Sequence, residues 1–120
     1  MKRIVVAVDG SETSLKAARL AAEIATKFQA KLTLLYVVEP PILMDGMDDG
    51  AGQLDARYRV GDEVLRIFEK EMAAFPKLVV ETKSRLGDPG DEIARAGEEA
   101  DVDLLVTGSR GLGAVARVLL

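Results

Sequence analysis

The end of the chain carries residues suited to binding an anion. Three glycines follow the spacing Gly108-x-x-Gly111-x-Gly113, which lets backbone amides approach a phosphate without an intervening side chain. Ser109 and Arg110, which lie between the first two glycines, add a hydroxyl and a guanidinium for the same anion. The spacing is not that of a dinucleotide fingerprint or a Walker loop. A tight turn from a strand into a helix would also use glycines, so both interpretations stay open.

A second candidate is Asp9, which follows the apolar run at residues 4–8. Its carboxylate could accept a hydrogen bond from a ribose hydroxyl or help to bind Mg²⁺. An aspartate in this position is also a good N-cap for a following helix. Position alone does not decide between these two roles.

The composition excludes several classes of chemistry. The chain has no histidine and no cysteine, which rules out Ser-His-Asp and Cys-His catalysis and the usual zinc ligand sets. Its net charge of -4 disfavours a nucleic-acid surface as the main role. Beyond Asp103, the last acidic residue, Arg110 and Arg117 leave a local positive excess. That excess again indicates an anion site.

These residues are positioned by an alternating pattern of strands and helices. Strands are predicted at residues 3–8, 31–38, 77–84 and 101–107, helices at 14–28, 53–75 and 89–100, and the start of a further helix at 114–120. The pattern predicts an α/β fold, a doubly wound parallel sheet with helices on both faces. Ligands of such Rossmann-like sheets bind at the carboxyl ends of the strands, where Asp9 and the glycine loop both lie. We expect Lys2 and Arg3 to be solvated at the entrance of the first strand.

Length and hydropathy predict a single domain over residues 1–120. No apolar stretch reaches the length of a membrane span, and residues 4–8 are too few for a signal-peptide core. The absence of cysteine fits a reducing compartment. We therefore expect a cytoplasmic protein with no membrane or nucleic-acid partner.

Three segments together resemble the universal stress protein family: IVVAVDGSETSLKAARLA, LTLLYVVEP and RLGDPGDEIARAGEEADVDLLVTGSRGLG. The resemblance covers nearly the whole chain. ATP-binding members carry the motif G-x2-G-x9-G-[ST], and Gly108 and Gly111 match its first half. The nine spacer residues then end at Leu120, so the resemblance implies that the family's final helix and fifth strand lie beyond this sequence.

The resemblance also implies a fold of the adenine nucleotide alpha hydrolase type, ATP and Mg²⁺ as cofactors, and a homodimer. Asp9 would contact the ribose and the metal, Ala7 would lie beside the base, and the backbone of Val37 would hydrogen-bond adenine. The ribose and phosphates would be held by Thr107, Gly108, Arg110 and Gly111. To these the spacing argument adds Ser109 and Gly113.

The function expected is that of an ATP-binding protein of the stress response. Hydrolysis is expected to be slow at most, because the chain has no histidine to act as a base and no lysine in the phosphate loop. One alternative is a dimeric scaffold of the same fold that binds no nucleotide. Another is a phosphoacceptor receiver domain, which requires an acidic pair after the first strand and an aspartate ending the third. Here a single Asp9 and the pair Ser84-Arg85 occupy those positions.

Overall fold

A five-stranded sheet forms the centre of the protein. The computed structural model describes residues 1–42 and 50–108 and the backbone of residues 116–119. The strands are β1 (Arg3–Ala7), β2 (Lys31–Val38), β3 (Val80–Leu86), β4 (Val102–Gly108) and β5 (Ala116–Leu119), in the order β3-β2-β1-β4-β5. Strands β1 to β4 are parallel, as predicted. The run of β-branched and leucine residues in β1 and β2 reflects a sheet that is covered on both faces.

Two helices cover one face of the sheet. The helix α1 (Glu12–Phe28) buries a row of alanines, and α2 (Gly50–Glu71) buries Leu65 and Phe68. A short 3₁₀ turn, Met72–Ala74, follows α2. The small alanine side chains let α1 lie close to β1 and β4, so the strand ends and the first turn of α1 are near neighbours.

The third helix, α3 (Pro89–Gly97), covers the opposite face, where Ala96 packs against Val5, Leu35 and Leu105. Helices on both faces confirm the predicted doubly wound architecture. Asp88 caps α3 by accepting a hydrogen bond from the amide of Asp91 at 3.0 Å.

The prediction that residues 114–120 begin a helix is wrong for Ala116–Leu119. These residues form β5, which is antiparallel to β4, with Thr107 opposite Arg117 and Gly108 opposite Ala116. The reason is tertiary: β4 would otherwise present unpaired backbone amides and carbonyls at the edge of the sheet. The sheet is therefore a parallel four-stranded core with one antiparallel edge strand.

The expectation of a solvated Arg3 is also wrong, because its exposed fraction is 9%. Its guanidinium forms ion pairs with Asp101, at 3.2 Å, and with Glu99. Glu99 also pairs with Arg85 of β3. This network fastens the end of α3 to the amino-terminal end of β1 and to β3.

Candidate functional site

A cleft of about 450 Å³ opens at the carboxyl ends of the parallel strands. Its lining combines hydroxyls, carboxylates and apolar side chains, a mixture typical of small-molecule sites. The lining residues are Ala7, Val8, Asp9, Ser11, Thr13, Ser14, Leu35, Tyr36, Val37, Glu39, Pro89, Ile93, Thr107 and Gly108.

The cleft lies where the order of strands reverses. The chain proceeds outward from β1 to β2 and β3, and then returns to place β4 on the other side of β1. Ala7 at the end of β1 is therefore the ladder partner of Thr107 in β4. The divergence of connections on either side of this pair leaves room for a ligand, as the sheet topology predicts.

Asp9 is fixed by the turn that joins β1 to α1. Its Oδ1 accepts a hydrogen bond from the amide of Ser11 at 2.9 Å, and its own amide donates to Ser14 Oγ at 3.2 Å. The N-cap of α1 is Ser11, whose Oγ accepts from the amide of Ser14 at 3.1 Å. The helix cap is thus a neighbour of Asp9 and not Asp9 itself, and the Asp9 side chain is exposed at the cleft.

Gly10 makes this turn possible. Its φ is +87°, a left-handed conformation that residues with a Cβ adopt only at a cost. A Cβ there would also lie 3.1 Å from Cγ2 of Val64 in α2. The turn is therefore held on one side by α1 and on the other by α2.

Val37 lies two residues beyond Leu35, the last residue of β2 that pairs with β1. The carbonyl of Leu35 accepts from the amide of Val8 at 2.9 Å, whereas the carbonyl of Val38 accepts from Gly87 on the β3 side at 3.0 Å. Because backbone groups alternate between the two sides of a strand, those of Val37 lie on the β1 side, past the end of the β1 ladder. They therefore border the cleft.

The segment after β2 is anchored beside the cleft by Arg57 of α2. Its Nη1 donates to the carbonyl of Glu39 at 2.9 Å and contacts that of Pro40 at 3.4 Å. Sequence reasoning missed this contact, because nothing local in either segment specifies it.

Gly108 packs directly on the first turn of α1. A Cβ at this position would lie 3.1 Å from Cγ2 and 3.2 Å from the carbonyl oxygen of Thr13, and 3.3 Å from the amide nitrogen of Ser14. Gly108 is thus required for close packing of β4 on α1, whatever else it does. This packing role differs from the turn into a helix that the sequence left open for the first glycine of the motif.

The structure brings five of the predicted site residues together: Ala7, Asp9, Val37, Thr107 and Gly108. The other four, Ser109, Arg110, Gly111 and Gly113, lie outside the described residues. Sequence reasoning missed the contributions of Ser11, Thr13 and Ser14. Their proximity to Asp9 in the segment DGSETS was the available signal.

Among the described residues, the carboxylates whose pKa values are shifted from the ordinary value do not line the cleft. The hydroxyl of Thr33 and the ammonium of Lys31 hold the pKa of Glu81 below its ordinary value. The backbone amide of Lys2 donates a hydrogen bond to the Asp103 carboxylate and lowers its pKa below the ordinary value. Both acids serve structural contacts near the opposite end of the sheet.

The described residues contain no group of three histidine, cysteine, aspartate or glutamate side chains that could hold a metal alone. Asp9 and Glu39 are the carboxylates of the described lining. One or two carboxylates suit Mg²⁺ that reaches a site together with phosphate oxygens and water. Within the same described residues, no helix is long and apolar enough to cross a membrane.

A parallel α/β sheet with a cleft at its switch point defines this chain as a Rossmann-like protein. The model of the universal stress protein family matches residues 1–120. A universal stress protein of Methanocaldococcus jannaschii is 33% identical over an alignment of 121 positions, which covers 99% of this chain and 71% of that protein. The chain belongs to the universal stress protein family.

Solved structures agree with this assignment. A universal stress protein family member from Burkholderia pseudomallei has a TM-score of 0.79 and 27% identity, covering 92% of this chain and 83% of that one. A universal stress protein crystallised in complex with cAMP has a TM-score of 0.74 and 29% identity, covering 93% of this chain and 79% of that one.

Proposed function

We propose that this protein binds ATP with Mg²⁺ in the cleft between β1, β2 and β4, and acts as a nucleotide-dependent protein of the stress response. The observation that carries the proposal is the convergence of Asp9, Val37 and Thr107 on one cleft of about 450 Å³. A family member crystallised with cAMP supports an adenine nucleotide as the ligand class. Adenosine and phosphate are common to cAMP and ATP.

The base occupies the end of the cleft beside β2. Its edge hydrogen-bonds the backbone of Val37, and its ring lies against Ala7. This assignment is supported by the alternation of β2, which turns the Val37 backbone toward the region beyond β1. Backbone recognition of an edge carrying both a donor and an acceptor favours adenine over a purely apolar ring.

The ribose and phosphates occupy the end of the cleft beside α1 and β4. Thr107 and the first turn of α1 line this side, and the amides at the start of a 17-residue helix favour an anion. Gly108 begins the phosphate loop, which continues through Ser109, Arg110, Gly111 and Gly113. Asp9 contacts the ribose and, together with phosphate oxygens, Mg²⁺.

Binding without rapid hydrolysis is the activity this set of residues favours. The described lining offers hydroxyls and carboxylates, and the sequence has no histidine to accept a proton near neutral pH. The protein would therefore hold the nucleotide and act through association. We further propose that it does so as a cytoplasmic homodimer. Native mass spectrometry of the purified protein tests the dimer and detects any nucleotide that co-purifies with it.

The test of the proposed function is calorimetric titration of the protein with ATP and Mg²⁺, compared with the variant Asp9→Asn. Asparagine keeps an oxygen to accept the Ser11 amide, so the turn is retained while the charge is lost. We expect affinity to fall by about tenfold or more, the size of a lost charged hydrogen bond. Asp55→Asn, on the exposed surface of α2, is the matched control and leaves affinity unchanged.

Three outcomes would refute the proposal in different ways. No heat of binding with ATP, ADP or cAMP would refute nucleotide binding altogether. Tighter binding of cAMP than of ATP would refute ATP as the ligand but keep the class. Equal affinities of wild type and Asp9→Asn would refute the role given to Asp9.

A nucleotide-free dimeric scaffold is the second candidate, and one observation favours it. The contact of Gly108 with Thr13 accounts for this glycine without any ligand. In that case the titration gives no binding heat, while native mass spectrometry still detects a dimer.

A further inference from the structure

We propose that a groove at the amino-terminal ends of the strands, at the opposite end of the sheet from the cleft described above, binds an acidic peptide segment of a partner protein. The groove encloses about 690 Å³. Four lysines line it: Lys2, Lys27, Lys31 and Lys77. We call this surface the lysine groove.

The charge of the lysine groove is anomalous for this protein. The chain carries 16 basic and 20 acidic residues, yet no acidic side chain is part of the lining. Lys31 is paired with Glu81 at 3.1 Å. Over residues 1–42 and 50–108, no ion pair engages the side chains of Lys2, Lys27 or Lys77.

Two acidic residues, Glu81 and Asp103, contact lysines of the groove, and both have structural partners. Glu81 accepts a hydrogen bond from Thr33 at 2.8 Å in addition to its pair with Lys31. Asp103 accepts a hydrogen bond from the backbone amide of Lys2. The lining itself carries four ammonium groups and no carboxylate, and such an excess of positive charge attracts a ligand of negative charge.

The floor of the groove is apolar and rigidly built. It consists of Ala25, Ala30, Leu78 and Val79, of which Val79 is 61% exposed. Backbone hydrogen bonds hold it in place: the amide of Leu32 in β2 donates to the carbonyl of Val79, and the amide of Ala30 donates to the carbonyl of Ala25 in α1, each at 2.9 Å. A ligand gains both ion pairs and apolar burial only if it carries acidic and apolar groups together.

This combination favours an acidic peptide over a nucleic acid. Side chains that stack on bases are absent from the described lining, and the net charge of -4 repels a polyanion at longer range. A peptide with alternating acidic and apolar side chains matches the lysine rim and the apolar floor. Since the groove and the cleft share no lining residue, both can be occupied at once.

The test measures the binding of a fluorescein-labelled peptide of alternating glutamate and leucine to the full chain, using fluorescence anisotropy. The same peptide with glutamine in place of glutamate is the control ligand. The variant Lys27→Glu/Lys77→Glu reverses two groove charges, and Lys16→Glu/Lys70→Glu reverses two exposed charges elsewhere on α1 and α2. Far-UV circular dichroism checks that each variant is folded.

We expect the acidic peptide to bind more tightly than the glutamine peptide and to weaken as salt is added. We expect Lys27→Glu/Lys77→Glu to lower its affinity by about tenfold and the control variant to change it little. Equal binding of both peptides, or equal effects of both variants, would overturn the proposal. Binding of a single-stranded oligonucleotide or inorganic polyphosphate in preference to the acidic peptide would overturn the choice of ligand.

Discussion

The contact between Gly108 and α1 leads to a sharp prediction for the variant Gly108→Ala. The added Cβ would lie 3.1 Å from Cγ2 of Thr13, closer than the optimum of about 3.5–4.0 Å between carbon atoms. It would also lie 3.2 Å from the carbonyl oxygen of Thr13 and 3.3 Å from the amide nitrogen of Ser14. Two of those three atoms belong to the backbone of α1, which cannot rotate away. The strand or the helix must therefore shift.

The expected magnitude combines two effects. Overpacking of a tightly packed site costs about 1–3 kcal/mol, and replacing a strand glycine by alanine returns about 0.5–1 kcal/mol. The net expectation is a loss of about 1 kcal/mol in the free energy of unfolding, or roughly 4 °C in Tm for a domain of this size.

Urea denaturation, monitored by circular dichroism, measures this loss of stability. Gly90→Ala in the first turn of α3 is the matched control, because its only close neighbour among the described residues is Oδ2 of the capping Asp88 at 3.3 Å, a side-chain atom that can move where the α1 backbone cannot. Alanine there improves helix propensity, so we expect equal or greater stability than wild type. A Gly108→Ala protein as stable as wild type would refute the argument that this glycine is needed for packing.

Two further predictions concern residues outside the first turn of α1. Gly61→Ala in α2 would place a Cβ 2.7 Å from Cδ1 of Tyr36. We therefore expect thermal denaturation to show a lower Tm than that of wild type, despite a gain in helix propensity of about 1 kcal/mol. A higher Tm would contradict the importance of this contact. The pKa of Glu81 is held below the ordinary value of 4.5, chiefly by Thr33 and then by Lys31. Its ionised form therefore stabilises the fold above that value, and this stability is lost as pH falls through the lower folded pKa. In denaturation series at decreasing pH we expect a steeper loss for wild type than for Glu81→Gln, and parallel curves would contradict the assignment.

Much of the fold could be predicted because its signals are local. The apolar runs of β1 and β2, the cap at Ser11 and the pair Asp88-Pro89 are each specified by neighbours in sequence. The parallel sheet then brings Asp9 and Gly108 to its carboxyl end by topology alone. Those parts of the candidate site followed without knowledge of any long-range contact, whereas Ala7, Val37 and Thr107 were added by the family resemblance.

The features that sequence reasoning missed depend on partners distant in the chain. Residues 116–119 form a strand because β4 offers an open edge. Arg3 is buried because Glu99 and Asp101, almost a whole chain length away, pair with its guanidinium. Gly61 is required by the ring of Tyr36 and not by any turn. Such contacts leave no periodicity or spacing in the sequence.

The most direct test of the central claim is a titration of the ¹⁵N-labelled protein with ATP and Mg²⁺, in which NMR measures the chemical shift of each backbone amide. The account predicts that the largest shifts fall on Asp9, Val37 and Gly108, while amides of the lysine groove such as Lys27 and Lys77 stay unchanged. An unchanged spectrum, or shifts that cluster away from the carboxyl ends of the strands, would contradict the claim that this cleft is a nucleotide site.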